Sequence, residues 1–420
     1  MRIGAVYDVE QVRNSAWVDA ATVKHNGVTI SEWSGYGQRG EYKYRSAVGA
    51  YGGDNTWACP AWIYKCILNP VSMTPPEQDS THWKFVGVND YYKPFDSYSG
   101  SRLIAASPVV LEIRADGCNY VGLYGIDADA VDVTHWECHA GKSFGNLDPG
   151  WTVPAGWTWT ASTLQVSVVQ ASGSSTMYFT PPAGMTEGEV MELWYDQITG
   201  FGTGNLKFMA GGGVSAALLK TGPITTISAV AGTGTTCGFV ATGQITQSLY
   251  VYQIRMRRDY RPNVDVAGRR IYTGIFDSSY PVATVEVQAA RLPGNTDPVE
   301  VEFFRVADAV DISARSVQKG VKAALVNGGY YRDMGEFTEL VAGPVNYSID
   351  ASVKVASDDT DTVSRVIQDA ADGLCIIDMN SPLTNYDSLR TIGYIDSASL
   401  DYAPDGGAYG DLDISIRPMS

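Results

Sequence analysis

Apolar and polar residues alternate in short runs along most of this chain, the pattern of strands with one buried face. Val109, Leu111 and Ile113 interleave with Val110, Glu112 and Arg114, a period of two that sends successive side chains to opposite faces of a sheet. Comparable runs occupy residues 107–114, 120–126, 130–136, 163–170, 189–195, 206–209 and 247–255, and continue past Pro262 at 282–290 and 299–306. Gly, Asp and Pro punctuate them, as in a β-sandwich or jelly roll. One segment switches to a helical period: Val363, Val366, Ile367 and Ala370 form an apolar stripe over 361–372, with Thr360 or Asp361 to cap it and Gly373 to end it. Strands at 374–378, 390–396 and 411–417 flank that helix and predict a small α+β unit. Residues 1–45 are polar with little periodicity and predict an extended arm on a neighbour, a structured N-terminal strand being the alternative. The expected organisation is an arm (1–45), a small aromatic β module (46–96), a jelly-roll-like β-sandwich (97–260) and a β-rich, α+β C-terminal domain (261–420), mainly β throughout.

Length and composition support that division. A chain of 420 residues exceeds one core, and at roughly 150 residues per domain it holds two or three. Its 44 Gly and 25 Tyr, with only 18% charged residues, favour strands and turns over helices. A net charge of −16 and a pI near 4.6 argue against nucleic-acid binding, which needs clustered Lys and Arg. The basic cluster Arg255, Arg257, Arg258 and Arg261 reads as a solvated strand end or a subunit contact. No apolar run reaches the ~18–20 residues of a membrane span, and the first residues lack the apolar core of a signal peptide. Folding in a cytoplasm is therefore expected, without membrane insertion. Cys59, Cys66, Cys118, Cys138, Cys237 and Cys375 are scattered and fit buried reduced thiols.

Most candidate chemistry fails on its context. Gly35-Tyr36-Gly37-Gln38-Arg39-Gly40 matches a phosphate-loop spacing, but the strand-like Glu41-Tyr42-Lys43-Tyr44 follows where a helix N-terminus is needed. Gly141-Lys142-Ser143 has Trp136 in place of the first glycine of a Walker motif. His135, Cys138 and His139 with Cys118 could supply zinc ligands, yet on a strand 135 and 139 share a face while 138 points away. Asp127, Asp129 and Asp132 read as turn-capping carboxylates, and Asp358, Asp359 and Asp361 as helix-capping ones. No nucleophile elbow appears and no carboxylate pair stands out. No catalytic residue, metal or cofactor is assigned, and an enzyme is not expected.

Residues 59–87 concentrate aromatic side chains instead. Trp62-Ile63-Tyr64-Lys65-Cys66 and Trp83-Lys84-Phe85-Val86-Gly87 alternate like two short strands around a Pro-rich loop at Thr74-Pro75-Pro76. Trp57, Trp62, Tyr64 and Trp83 either form the module's own core or stack on a sugar or a partner. Sugar stacking requires at least two of Trp57, Trp62 and Trp83 to be coplanar and solvent-facing.

The order Trp83-x-x-Val86-Gly87, then Asn89, then Tyr92-Lys93-Pro94-Phe95-Asp96, resembles a family of bacteriophage tail proteins. In that family a module similar to chitin-type carbohydrate-binding modules precedes a β-sandwich. The family's opening Tyr-x-x-Gly-Asp-x-Val strand is only partly present: Tyr51-Gly52-Gly53-Asp54 is followed by Trp57-Ala58-Cys59. Residues 382–397 and the alternating strand 410–416 look like the family's ending, and Gly328–Gly335 echoes an internal turn. The resemblance implies a structural component of a virion tail, at the tip, the baseplate or a fibre attachment, assembled in the host cytoplasm. Its partners would be other tail proteins and copies of itself, held through subunit contacts. The alternative is a host-recognition protein that binds a surface glycan through the aromatic module.

Overall fold

The computed structural model describes residues 2–5, 12–14, 23–46, 61–70, 73–90, 92–95, 102–141, 147–218, 225–276, 279–311, 318–327, 330–333, 338–341, 345–356, 359–371, 373–378, 390–401 and 409–418. The protein is mainly β and divides into two units, one of Met1–Asp132, Pro262–Ser279 and Val287–Ser420, the other of Val133–Arg261 and Tyr280–Glu286. In sequence the second is an insertion into the first.

The second unit is a two-sheet sandwich. In one sheet Gln165–Gln170 lies between Trp157–Thr160 and the long strand Ile245–Asp265, which also pairs with Val190–Gly202. The other sheet runs Ser174–Phe179, Cys237–Thr242, Asn205–Ala210, Gly213–Ala217. Period-two alternation aims Val166, Val168, Leu193, Leu249 and Val251 from the first sheet at Met177, Phe179, Phe208 and Phe239 from the second. Each of these buried side chains contributes about 1.5–3 kcal/mol of hydrophobic stabilisation. Register shifts at Trp194/Tyr195 and Gln197/Thr199 are bulges that add twist to the paired strand.

In the first unit a seven-stranded sheet is ordered Val310–Asp311, Arg2–Ala5, Cys375–Asp378, Arg390–Asp401, Tyr409–Pro418, Val345–Ala356, Gln318–Asn327. Cys375 and Ile377 join the core under the helix Thr360–Ala371, whose Val363 and Ala370 are buried. Ile376, on the opposite face of the same strand, packs with Ile392 against Tyr120, Tyr124 and Phe303 of a three-stranded sheet. That sheet places Tyr120–Tyr124 between Ile271–Ile275 and Phe303–Ala307. The expected helix is present with Asp361 in its first turn, where a carboxylate complements the helix dipole.

A five-stranded sheet also belongs to this unit: Val23–His25, Val28–Glu32, Tyr42–Ser46, Ala61–Cys66 and Trp83–Val88 in chain order. Its first hairpin turns at Asn26 and Gly27, with φ of +50° and +78°, the Asn-Gly signature of a tight two-residue turn.

The expected boundaries change accordingly. Residues 1–45 are not an arm as a whole: Arg2–Ala5 is an inner strand of the seven-stranded sheet, Val12–Asn14 pairs with Val109–Arg114, and 23–45 supply three module strands. The aromatic module therefore starts well before residue 46. The sandwich begins at Val133, not 97, and takes in Tyr280–Glu286. Residues 261–420 are not a separate domain, because Ile271–Ile275 and Phe303–Ala307 both pair with Tyr120–Tyr124. Strand pairing is non-local, and an alternating run carries no label for its partner.

Candidate functional site

The aromatic module is built on the two faces of its sheet. Val23 and Ile63 form a small core on one face with Ile30, Tyr42, Tyr44 and Val86. On the other, Tyr64, Cys66 and Trp83 pack with Trp33 and Phe85. The register pairs Cys66 with Trp83 and Tyr64 with Phe85, so the Tyr64 and Phe85 rings stand directly opposite one another and the Trp83 indole faces a thiol. Phe85 meets the Tyr64 ring edge-on at 5.6 Å and the Trp62 ring at 6.4 Å. A Cβ on Gly37 would collide with the six-membered ring of Trp83. Of the glycines that mimic a phosphate loop, Gly37 therefore serves close approach to an indole.

These contacts separate the four candidate aromatics. Trp83 is 2% exposed and Tyr64 5%, both in the module core, whereas Trp62 is 45% exposed. Trp57 lies outside the described residues. Trp83 does not meet the solvent-facing condition for a sugar platform, so among the described candidates Trp62 alone presents its ring. Trp62 is the register partner of Arg45. Arg45 holds Glu77 at 3.1 Å and lies over the Trp33 ring at 5.3 Å. The resulting surface is one exposed indole beside a guanidinium and a carboxylate, able to stack on a flat apolar face and to exchange hydrogen bonds around it. The part played by Trp33 escaped the sequence reading because no alternating partner stands next to it in the chain.

The motif after the module is a mount. Asn89 Oδ1 accepts the Tyr92 N–H at 2.9 Å, and Asp90 accepts the N–H groups of Asn26 and Gly27 at 3.0 and 2.7 Å. Burial would raise the Asp90 carboxyl, but those bonds and Lys93 at 2.8 Å hold it below the ordinary carboxylate range. Phe95 is buried against Phe304, with ring centroids 6.0 Å apart, and the buried Arg305 donates to the Pro94 carbonyl at 2.9 Å. Pro94 and Phe95 thus fasten the module to the strand Phe303–Ala307, and Asn89 holds the turn that leads into them.

Within the basic cluster Arg257 and Arg261 are half-exposed beside Tyr260 and Asp259, but Arg255 and Arg258 are not solvated. Arg255 is 2% exposed, lies over the rings of Trp136 at 4.0 Å and Trp194 at 5.1 Å, and donates to Glu192 at 2.8 Å and Glu286 at 2.9 Å. The Arg258 side chain, 8% exposed, holds Glu137 at 2.6 Å and Glu189 at 2.9 Å. Planar guanidinium groups can be buried only with their donors satisfied, and facing carboxylates on neighbouring strands do this. Sequence spacing could not show it, because those partners lie 31 to 121 positions away.

His135 and His139 are buried on the same strand. Burial lowers the His135 imidazole to about 4 and, with Arg258 nearby, that of His139 to about 3. Among the described residues no group of three or more His, Cys, Asp or Glu is placed to hold a metal. Asp129 caps its turn by accepting the Leu292 N–H at 2.9 Å and the Asn295 amide at 3.0 Å. No described helix is long and apolar enough to cross a membrane. No protein-family model, curated protein or solved structure matches this chain.

Proposed function

We propose that this chain is a structural component of a bacteriophage tail, acting through contacts with other tail proteins and with further copies of itself. The observation that carries the reading is the mount at Asn89, Pro94 and Phe95, which coincides with the motif that resembles the tail family. A module fastened through a buried ring and a buried guanidinium is held rigidly, as a load-transmitting part requires. Its Trp62 surface is then a fixed contact point for a neighbour. Immunogold electron microscopy of tailed particles with antibody against the purified chain tests the proposal. Label confined to the tail supports it, and particles without label sink it.

The second reading is glycan recognition, favoured by the exposed Trp62 beside Arg45 and Glu77. A glycan array on the full chain decides between them. Binding that Trp62→Ala abolishes, with the far-UV spectrum unchanged, would move the assignment to host recognition.

A further inference from the structure

One face of the aromatic module's sheet carries a charge that its own carboxylates do not balance. The register sets Lys65 directly opposite Lys84 on one side and Tyr42 on the other, so the three side chains form a row on one face of three adjacent strands. The Lys65 ammonium lies over the Tyr42 ring at 5.7 Å, and the His25 ring is centred 5.0 Å from that of Tyr42. His25 is in turn the register partner of Val28, which is 66% exposed. Lys84 is exposed and Lys65 half-buried. Trp62, three positions before Lys65, belongs to the opposite face.

Like charges directly opposite one another, with Cβ atoms about 4.5–5.5 Å apart, destabilise a pair of strands. The acids of the module are engaged elsewhere: Glu41 pairs with Lys43, Glu77 with Arg45, Asp79 with His82 and Asp90 with Lys93. Among the described residues no carboxylate forms an ion pair with Lys65, whose ammonium meets the Tyr42 ring instead. Residues 23–95 hold seven basic and six acidic side chains, while the rest of the chain holds 23 and 40. The module is thus the electropositive part of an acidic chain. A cross-strand pair that breaks the rule of opposite charge is the kind of local conflict found at functional positions.

The size and make-up of the row select the ligand. Three adjacent strands span only about 10 Å, whereas each partner in a stable protein complex buries roughly 800 Å². A long polyanion such as a nucleic acid would run onto the acidic remainder of the chain and be repelled. Two ammonium groups beside an aromatic ring and an exposed aliphatic side chain fit a short ligand with an anionic group on a ring that has an apolar face. We propose that this row binds an acidic oligosaccharide, with Lys65 and Lys84 holding its carboxylate or sulfate and Tyr42 and Val28 beside the sugar. The inference deepens the glycan reading by naming its chemical class and a face apart from Trp62, and rests on that reading only for the ligand being a sugar.

The test is isothermal titration of the full chain with oligogalacturonate, with a heparin-derived oligosaccharide, and with the neutral methyl ester of the first. An acidic sugar should bind at about 20 mM salt and at least about tenfold more weakly at about 300 mM, and the ester should not bind. Lys65→Gln/Lys84→Gln should weaken binding at least about tenfold, while Trp62→Ala leaves it unchanged. No binding of either acidic sugar, equal binding of the ester, or undiminished binding by the lysine variant overturns the proposal. Oligoglutamate of matched length that binds as tightly as the sugars also overturns it, and gives the row to an acidic peptide. Should the double variant fail to fold, Lys84→Gln at the exposed position decides by the same criteria. Binding abolished by Trp62→Ala and untouched by the lysine changes would refute this inference and leave the glycan reading at Trp62 standing.

Discussion

Phe95 and the pair His135/His139 show how single side chains set the behaviour of this protein. Phe95→Ala removes a buried ring from the mount against Phe304 and is expected to cost about 3–5 kcal/mol. Urea unfolding checks this, and a loss under about 1 kcal/mol would show that the module is held by something else. The histidines predict acid sensitivity. Their folded pKa values, about 4 and about 3, lie below the ordinary 6.5, so the folded state binds fewer protons than the unfolded one as pH falls through that window. Stability is complete above about pH 7 and declines below 6.5, by about 2 kcal/mol per histidine at pH 5. Glu137, raised by burial against the pull of Arg258, works in the opposite direction. Unfolding midpoints at pH 7.5 and 5.0 measure the sum. The double variant His135→Phe/His139→Phe should flatten the difference, and an unchanged pH dependence would rule the histidines out.

At the scale of elements, the Arg255 cluster ties four strands together through Glu192, Glu286 and the two indoles. Arg255→Ala leaves two carboxylates without their cation and opens space between Trp136 and Trp194. It is expected to cost about 3–5 kcal/mol, whereas the exposed Arg102–Glu300 pair should contribute under about 1 kcal/mol. Matched urea curves for Arg255→Ala and Arg102→Ala check the contrast, and equal losses would contradict it. Elements with one strong local pattern were legible in the sequence. The helix was expected at 361–372 and spans Thr360–Ala371, and the strand expected at 206–209 spans Asn205–Ala210. Ser174–Phe179 and Cys237–Thr242 were missed, although they form half of the second sandwich sheet. Ser174-Ser175-Thr176 and Gly238 dilute their apolar runs, so their strand state comes from pairing with each other and not from local propensity.

At the scale of the molecule, charge is unevenly divided: net −15 in the first unit and −1 in the second. Self-repulsion destabilises a compact charged body and is screened by salt. Raising the salt from about 10 to 500 mM should therefore slow amide exchange in the seven-stranded sheet more than in the sandwich core, and equal slowing in both would refute this. Sequence by itself determined the mainly β class, the helix Thr360–Ala371 and the aromatic module, because these follow from periodicity, turn chemistry and composition, all local properties of the chain. Only the tertiary structure decided that Arg2–Ala5 lies beside Cys375–Asp378, that the sandwich is an insertion, that Arg255 is buried, and that Trp62 faces solvent while Trp83 does not. Each of those outcomes depends on which distant strand comes to lie opposite, and hydrophobic alternation is blind to that choice because every alternating strand presents the same kind of face.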